Sequence, residues 1–347
     1  MLNRSEAYRN IDVAILDEDR QFAMLEEEWE DLYRHSPTAT PFQAWGWLYS
    51  WWEHYGENYE LCLITLRDGD LLVGLLPLIL ERRWGFGRLL FAGTGITDYL
   101  DVLARPGWED QVTEAIRGTL RQIDGWQVAD LQELRPQATA WRLFRDWDRS
   151  RTCVHQSDCV EMEVKPWDEI LSALKKKRRE TARRTIRRLE SDKVREAVVG
   201  SDNALRAASR WMELHKQYWQ GRDIAPEHLT HRFESHLRAA AHRLTASGVA
   251  GIYEFVRDGE VVASDMILVG HNFVVGYLYG ANAYARRRFE INTLFVWLYL
   301  NVAQDRNIDC ASLSRGAEEY KLVWGSKVVP NHRVILSGNP VFERITW

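Results

Sequence analysis

The sequence predicts two copies of one α/β domain in tandem, and three observations carry that expectation. The chain has 347 residues, too many for one average domain and suited to two. LRDGDLLVGLLPL at Leu66 to Leu78 lies over VRDGEVVASDMIL at Val256 to Leu268 at a constant offset, with the Arg-Asp-Gly-acid turns and the apolar positions coincident. Strand and helix patterns also follow one another in a similar order in both halves. The boundary is expected near Arg149 to Asp158, a polar stretch without periodicity, giving domains of residues 1–155 and 156–347.

The elements follow in order. Asp17 to Arg34 reads as an acidic amphipathic helix with Phe22, Leu25, Trp29 and Leu32 or Tyr33 on one face, and Trp45 to Tyr55 as an aromatic-rich helix. Glu60 to Leu66 and Leu71 to Leu80 are apolar, β-prone runs. Asp68-Gly69 between them signals a hairpin, because both central turn positions need positive φ. A strand is expected at Trp84 to Ala92, a helix at Trp108 to Ile123, a strand at Trp126 to Gln132 and a helix at Gln137 to Asp148. In the second half, Val249 to Arg257 and Glu260 to Val269 form a hairpin about Asp258-Gly259, and Asn272 to Tyr279 is a third strand. A polar Arg-rich loop leads to a helix from Ile291 to Arg306. A strand at Ile308 to Leu313, a short helix near Glu318 to Val323 and a strand at Arg333 to Leu336 close the chain.

Composition excludes several classes. An apolar share of 46% and a charged share of 27% are those of a globular protein. The net charge of −5 opposes general attraction to nucleic acid or anionic membranes. Cys62, Cys153, Cys159 and Cys310 form no CxxC pair and no zinc-type spacing, and read as buried thiols in a reducing compartment. The N-terminus has no apolar signal core, and the longest apolar run, Leu71 to Leu80, is too short to span a bilayer. A cytoplasmic protein is expected.

Three segments stand out. Lys175 to Arg188, KKKRRETARRTIRR, holds nine basic residues and one Glu, against 36 basic and 49 acidic residues in the rest of the chain. It reads as an exposed helix with Leu171, Leu174, Ile186 and Leu189 as a thin apolar edge. The surface is either a phosphate-binding one, for RNA, a lipid headgroup or a phosphorylated substrate, or a solvated helix paired with acidic neighbours. In the second segment, Arg286, Arg287 and Arg288 precede a helix whose cap is Asn292 or Thr293, an arrangement suited to a pyrophosphate. The third, Ser314 to Gly325, follows the strand IDCASL and supplies Glu318, Glu319, Tyr320 and Lys321 within about one helical turn, or an ordinary capped helix.

Arg315-Gly316-Ala317-Glu318-Glu319-Tyr320-Lys321 resembles the Arg-Gly-x-x-x-Tyr-Lys motif of the GNAT-type acetyltransferase family associated with cellulose biosynthesis, whose members pair two GNAT-like domains. The basic helix and the Tyr279 to Asn292 loop resemble that family too, as do Pro41-Phe42-Gln43, Asp68-Gly69, Pro77 and Asp98-Tyr99-Leu100-Asp101 in the first half. The likeness spans roughly residues 20–330 as scattered motifs. Tyr320-Lys321 is also similar to the Phe-Lys of Fem-type peptidyltransferases, which use aminoacyl-tRNA. Two positions depart from the family pattern. Phe289-Glu290-Ile291-Asn292 replaces a Ser-Pro-Gly-like run, and Cys310-Ala311-Ser312 replaces Phe-Asp-Phe.

The resemblance implies two tandem GNAT-like domains, each a mixed, mostly antiparallel sheet flanked by helices. It implies acyl transfer from acyl-CoA, acetyl-CoA first, to an amine or hydroxyl of a small-molecule, glycan or lipid-linked acceptor, without a metal. By that analogy the pantetheine arm lies along Asn272 to Tyr279, touching Tyr277, and the pyrophosphate lies at Arg286, Arg287, Arg288, Asn292 and Thr293. Asp265, which interrupts an apolar strand, is the first candidate base and Glu318 the second; an outward-facing or salt-bridged Asp265 is the competing expectation. Tyr279 or Tyr320 protonates the leaving thiolate, Lys321 stabilises charge, and Arg315 holds a carboxylate or phosphate. The first half is expected to be non-catalytic and to shape the acceptor cleft. A tRNA donor bound through Lys175 to Arg188, and a non-catalytic scaffold, are the alternatives. His228 and His231 lie at metal-chelating spacing but without a clear third ligand, so a polar helix face is preferred. Trp45, Trp47, Trp51 and Trp52 read as core.

Overall fold

A computed structural model describes residues 11–222 and 224–338. The chain forms two compact units. The first comprises Met1–Trp45, Gly56–Gln156 and His332–Trp347; the second comprises Gly46–Tyr55 and Ser157–Asn331. One break between the units falls at Gln156/Ser157, within the polar stretch, while Gly46–Tyr55 belongs to the second unit and His332–Trp347 to the first.

The first part of the chain forms β1 (Asp12–Leu16), α1 (Asp19–Met24), α2 (Glu26–His35), α3 (Trp45–Tyr55), β2 (Glu60–Asp68), β3 (Leu71–Arg83), β4 (Phe86–Phe91), β5 (Leu103–Ala104), α4 (Glu109–Leu120), β6 (Val128–Leu134), α5 (Trp141–Asp146) and β7 (Arg151–Glu163). There follow α6 (Trp167–Ala173), α7 (Lys176–Ser191), β8 (Arg195–Val199), α8 (Ala204–Trp219), α9 (His231–Ala246), β9 (Ala250–Arg257) and β10 (Glu260–Val269). The chain continues through β11 (Phe273–Ala281), α10 (Ala283–Arg288), α11 (Ile291–Asp305), β12 (Cys310–Arg315), α12 (Glu319–Leu322) and β13 (Lys327–Ser337).

In the first unit the strand order is β1-β2-β3-β4-β6-β13, with β5 beside β3; all pairs are antiparallel except β4–β6. In the second it is β8-β9-β10-β11-β12-β7, antiparallel except β11–β12. One pairing scheme, with a single parallel pair between the fourth and fifth strands, thus occurs in both, as a duplicated domain requires. Each unit has its own apolar core. Leu66, Leu76, Leu89, Val112 and Ile116 lie in the first, and Phe255, Ile267, Phe295 and Leu298 in the second.

Several elements differ from expectation for local reasons. The helix expected over Asp17 to Arg34 breaks at Leu25, which ends α1 and begins α2 while Phe22 and Trp29 stack at 5.2 Å. The two Asp-Gly hairpins turn differently. Arg257 pairs with Glu260, leaving Asp258 and Gly259 at φ 50° and 82°, the expected two-residue turn. In the first hairpin Asp68 pairs with Leu71, so Gly69-Asp70 forms the loop and Gly69 alone of the two has positive φ. The polar stretch Arg149 to Asp158 is mostly strand, the outer half of β7. The Arg-rich loop is the short helix α10, capped by Asn282 accepting from the Ala285 N–H at 3.0 Å.

Helix α3 belongs to the second unit from Gly46 onward. Gly46 allows a close approach there, since an added Cβ would stand 3.0 Å from Arg243 Cβ and 3.1 Å from Leu244 Cδ2 on α9. The Trp47 ring meets Tyr277 edge-on at 5.1 Å, and Arg243 bonds Ser50 Oγ and the Glu53 carboxylate. Trp45, Trp47 and Trp51 are buried and Trp52 half-buried, as core residues would be. Cys62 and Cys159 are buried, while Cys153 and Cys310 are half-buried; all four are free thiols. Among the described residues no helix is long and apolar enough to cross a membrane.

Candidate active site

The second unit contains a cavity of about 210 Å³, created where β11 and β12 part. They pair in parallel only from Phe273/Cys310 to Val275/Ser312. Both neighbouring ladders slip at this level: β10–β11 between Asp265 and Ile267, and β12–β7 between Ser312 and Arg315. An extra residue bends a strand and increases its twist. Ser314, at φ 63°, turns β12 aside and its hydroxyl donates to the Gly276 carbonyl at 2.6 Å. Gly276 to Tyr279 form one wall and Leu313 to Arg315 the other, with Asn292, Phe295, Val296 and Tyr299 of α11 closing the floor.

Five phenol, amide and amine groups meet here. The Tyr279 hydroxyl donates to Asn292 Oδ1 at 2.7 Å, and the Tyr218 and Tyr320 hydroxyls converge on it. Burial keeps the Tyr279 phenol well above its usual range and lifts that of Tyr320 to about 12, so both stay protonated and available as donors. Lys321, buried beneath them, donates to the carbonyls of Arg315 at 2.5 Å and Gly316 at 3.0 Å and pairs with Glu318 at 2.9 Å. The Glu318 carboxylate packs over Gly316, where a Cβ would lie 2.4 Å from Oε1 and φ is +94°. These contacts give the Arg-Gly-x-x-x-Tyr-Lys pattern a structural reason: the glycine admits the carboxylate, and the lysine ties the turn.

Asp265 lies behind this wall rather than on it. It is fully buried and accepts from the Tyr299 hydroxyl and, at 3.2 Å, from the Leu278 N–H; Tyr299 faces the cavity. Burial raises its carboxyl to about 8, only partly offset by Tyr299 and the N–H groups of Leu278 and Met266. It is neither outward-facing nor salt-bridged.

The candidate donor-binding residues separate into two groups. Tyr277, Asn292 and Arg315 line the cavity. The three arginines of α10 do not form one cradle: Arg286 donates to the Tyr218 carbonyl at 3.4 Å, Arg288 pairs with Asp192, and Arg287 is exposed. The cap of α11 is Glu290, not Asn292 or Thr293. Its carboxylate accepts from the Thr293 N–H at 2.8 Å and from the Thr293 hydroxyl, and meets Arg178 of α7 at 3.3 Å. A carboxylate therefore already holds the helix N-terminus at which a pyrophosphate was expected. On α7, Lys175, Lys176, Lys177, Arg183 and Arg187 are exposed and make no ion pair among the described residues, so pairing with acidic neighbours holds only for Arg178.

Four features were not legible in the sequence: Gly276, Ser314, Tyr299 and the histidine pair His215 and His228. His215, on α8, bonds the Tyr279 carbonyl through Nδ1 at 2.9 Å, and its Nε2 stands 3.4 Å from His228 Nδ1. Gly280 permits this approach, since a Cβ there would lie 2.3 Å from the His215 backbone nitrogen. His231 faces Ser235 at 3.3 Å instead of joining His228. Among the described residues no three His, Cys, Asp or Glu side chains are grouped to hold a metal ion.

Residues 176–322, inside the second unit, match the family model described as acetyltransferase (GNAT) domain. No curated protein matches the chain. Among solved structures, FemX superposes with a TM-score of 0.65 at 9% identity, over 92% of this chain and 98% of that one. A conserved protein of unknown function from Bacteroides thetaiotaomicron gives 0.58 at 12% identity, over 93% and 100%. L-PGS from Bacillus licheniformis gives 0.54 at 13% identity, over 84% and 91%. Identities this low speak to the fold alone. The parted strands and the parallel pair β11–β12 lie within the stretch that matches this family model.

Proposed function

We propose that this chain is an acyltransferase that moves an acyl group, acetyl in the first instance, from acyl-CoA to an amine or hydroxyl of a small-molecule, glycan or lipid-linked acceptor by direct attack. The observation that carries this reading is the parting of β11 and β12, which opens a cavity onto Tyr279, Glu318, Tyr320 and Lys321. At about 210 Å³ the cavity suits a thioester and an attacking group rather than a whole nucleotide cofactor, since complete ligand sites run to roughly 300–1,000 Å³. Tyr320 or Tyr279 supplies a proton to the leaving group. Lys321 holds the Arg315–Gly316 turn and adds positive charge near the developing oxyanion. Glu318, already paired with Lys321, fixes that lysine. Asp265 acts through Tyr299 as a positioning residue. The motif likeness to the cellulose-associated acetyltransferases supports the acyl-CoA donor, and the first unit is assigned no catalytic step.

A second reading, an aminoacyl-tRNA donor, is favoured by one specific observation. Glu290 fills the N-terminus of α11, the α10 arginines diverge, and α7 presents unpaired cations instead. Titrating the full chain with acetyl-CoA and longer acyl-CoAs while following its melting temperature tests the first reading, because a bound donor stabilises the fold by about 2.7 kcal/mol at a hundred times its Kd. An unmoved melting temperature refutes it. Binding of tRNA that weakens steeply with salt then supports the second, and no binding of either ligand leaves a non-catalytic scaffold.

A further inference from the structure

We infer that His228 takes the proton from the attacking amine or hydroxyl, and that His215 is the positioning residue that fixes which nitrogen of His228 is free to do so. The inference rests on the acyl-transfer reading of the cavity, which both rings line. It starts from a backbone carbonyl. The Tyr279 carbonyl can only accept, so His215 Nδ1, at 2.9 Å, carries the hydrogen. A neutral His215 then has a lone pair on Nε2, and that atom faces His228 Nδ1 at 3.4 Å. His228 is thereby the donor at Nδ1, and its lone pair is left on Nε2. Among the described residues that nitrogen makes no hydrogen bond.

The two rings are held for this task. His215 is 2% exposed, and its backbone nitrogen is the atom against which Gly280 packs. His228 lies on the turn Pro226–Leu229 and stacks on Phe233 at 4.7 Å with an interplanar angle of 11°. Its neighbour Glu227 latches the turn, accepting from the Tyr55 hydroxyl at 2.6 Å and from Arg232 at 3.1 Å. Arg315, Glu227 and Lys216 act on the pair, and Tyr279, Glu318, Tyr320 and Lys321 line the same cavity. Burial comes first in holding both rings down, to about 4; Arg315 adds to it at His228, and the neighbouring His228 and Lys216 add to it at His215. Both rings are therefore neutral at physiological pH, which leaves the Nε2 lone pair of His228 free to accept a proton.

The step balances simply. The acceptor lone pair forms the new bond to the acyl carbon and its proton passes to His228 Nε2. The bond to the donor's leaving atom breaks, and the leaving group departs protonated. The proton gained at His228 Nε2 then returns to solvent, solvent replaces the one that the tyrosines gave the leaving group, and the Nδ1–H stays shared toward His215 Nε2. Acyl donor and acceptor–H become acylated acceptor and protonated leaving group.

The test uses the full chain labelled with ¹⁵N-histidine, its ring signals assigned by loss in His215→Gln and His228→Gln. At pH 7 long-range proton–nitrogen spectra are expected to show both rings as neutral Nδ1–H tautomers, and His228 losing that preference in His215→Phe. An Nε2–H tautomer at His228, or one indifferent to His215→Phe, overturns the inference whether or not the protein transfers acetyl groups. The second arm follows acetyl transfer from acetyl-CoA to ethanolamine. His228→Ala is expected to melt near wild type, to lose about 10²-fold or more in turnover, within the range of general bases, and to regain rate with added imidazole. If His228→Ala transfers at the wild-type rate, or its rate is indifferent to imidazole, the inference fails while the acyltransferase reading stands. If wild type neither binds nor transfers acetyl from acetyl-CoA, that reading fails and the tautomers alone decide the placement of the lone pair.

Discussion

Replacing Asp265 by Asn is expected to change how stability depends on pH more than stability itself. Asp265 is fully buried, with Oδ2 against the Tyr299 hydroxyl and Oδ1 taking the Leu278 N–H. Its carboxyl titrates at about 8 in the folded chain, against an ordinary value of 3.8. Between those values the folded protein keeps a proton that the unfolded chain has released, so the folded state binds more protons and stability falls as pH rises. The slope is about 1.4 kcal/mol per pH unit, or about 2.7 kcal/mol between pH 5 and 7. Asn reproduces the protonated carboxyl: its oxygen takes the Leu278 N–H and its amide reaches Tyr299. Asp265→Asn should therefore match wild type near pH 4 and exceed it increasingly toward pH 8. Urea unfolding of both proteins at pH 5, 6 and 7 measures the difference, read from midpoints at constant m. A gap that stays the same at all three values would refute the reasoning, because it would mean that Asp265 is equally ionised in both states.

Other outcomes follow from the same geometry. Gly280→Ala should destabilise the fold by about 1–3 kcal/mol or more in thermal unfolding, because its Cβ would meet the backbone of His215 and Leu214, which cannot rotate aside. Lys321→Met should leave the melting temperature within a few degrees yet lower acetyl transfer at least about 10-fold, since it removes a buried charge and two carbonyl contacts beside the cavity; unchanged turnover would remove Lys321 from the site. Asp101→Ala should cost the first unit on the order of 3 kcal/mol in denaturant unfolding, because the carboxylate accepts from the Val102, Thr139 and Ala140 N–H groups, which lose that partner, and from the Thr38 hydroxyl, which keeps only Thr139.

The features legible in the sequence were those with a local cause. Asp258-Gly259 suits the two positive-φ positions of a tight hairpin turn, and Arg315 to Lys321 is one turn that ties itself together, so both could be read without the rest of the chain. The same Asp-Gly signal at Asp68-Gly69 placed the hairpin but missed its turn, which closes one residue later on Gly69-Asp70. Arg149 to Asp158 reads as a polar boundary without periodicity because this outer part of β7 is mostly exposed, and only Cys159 to Met162 is buried. Asn292 was a better cap by propensity than Glu290, yet Arg178, more than a hundred residues earlier, draws the glutamate into place. The His215–His228 contact is likewise tertiary: the two residues lie on different elements, and only the approach of α8 to β11 aims them at one space.

The assignment of α3 to the second unit bears on how the protein is made. Gly46–Tyr55 leaves the ribosome about 280 residues before the body it completes has been fully synthesised. At roughly 5–20 residues per second, this tryptophan-rich segment waits on the order of 10–60 s for Tyr277, His236 and Arg243 to exist. During that interval Trp47 lacks the Tyr277 and His236 rings it packs against in the folded chain. It also means that a fragment beginning at Ser157 lacks a helix it needs, so the two halves of this gene product, though built on one plan, are not interchangeable parts that can be expressed or shuffled separately.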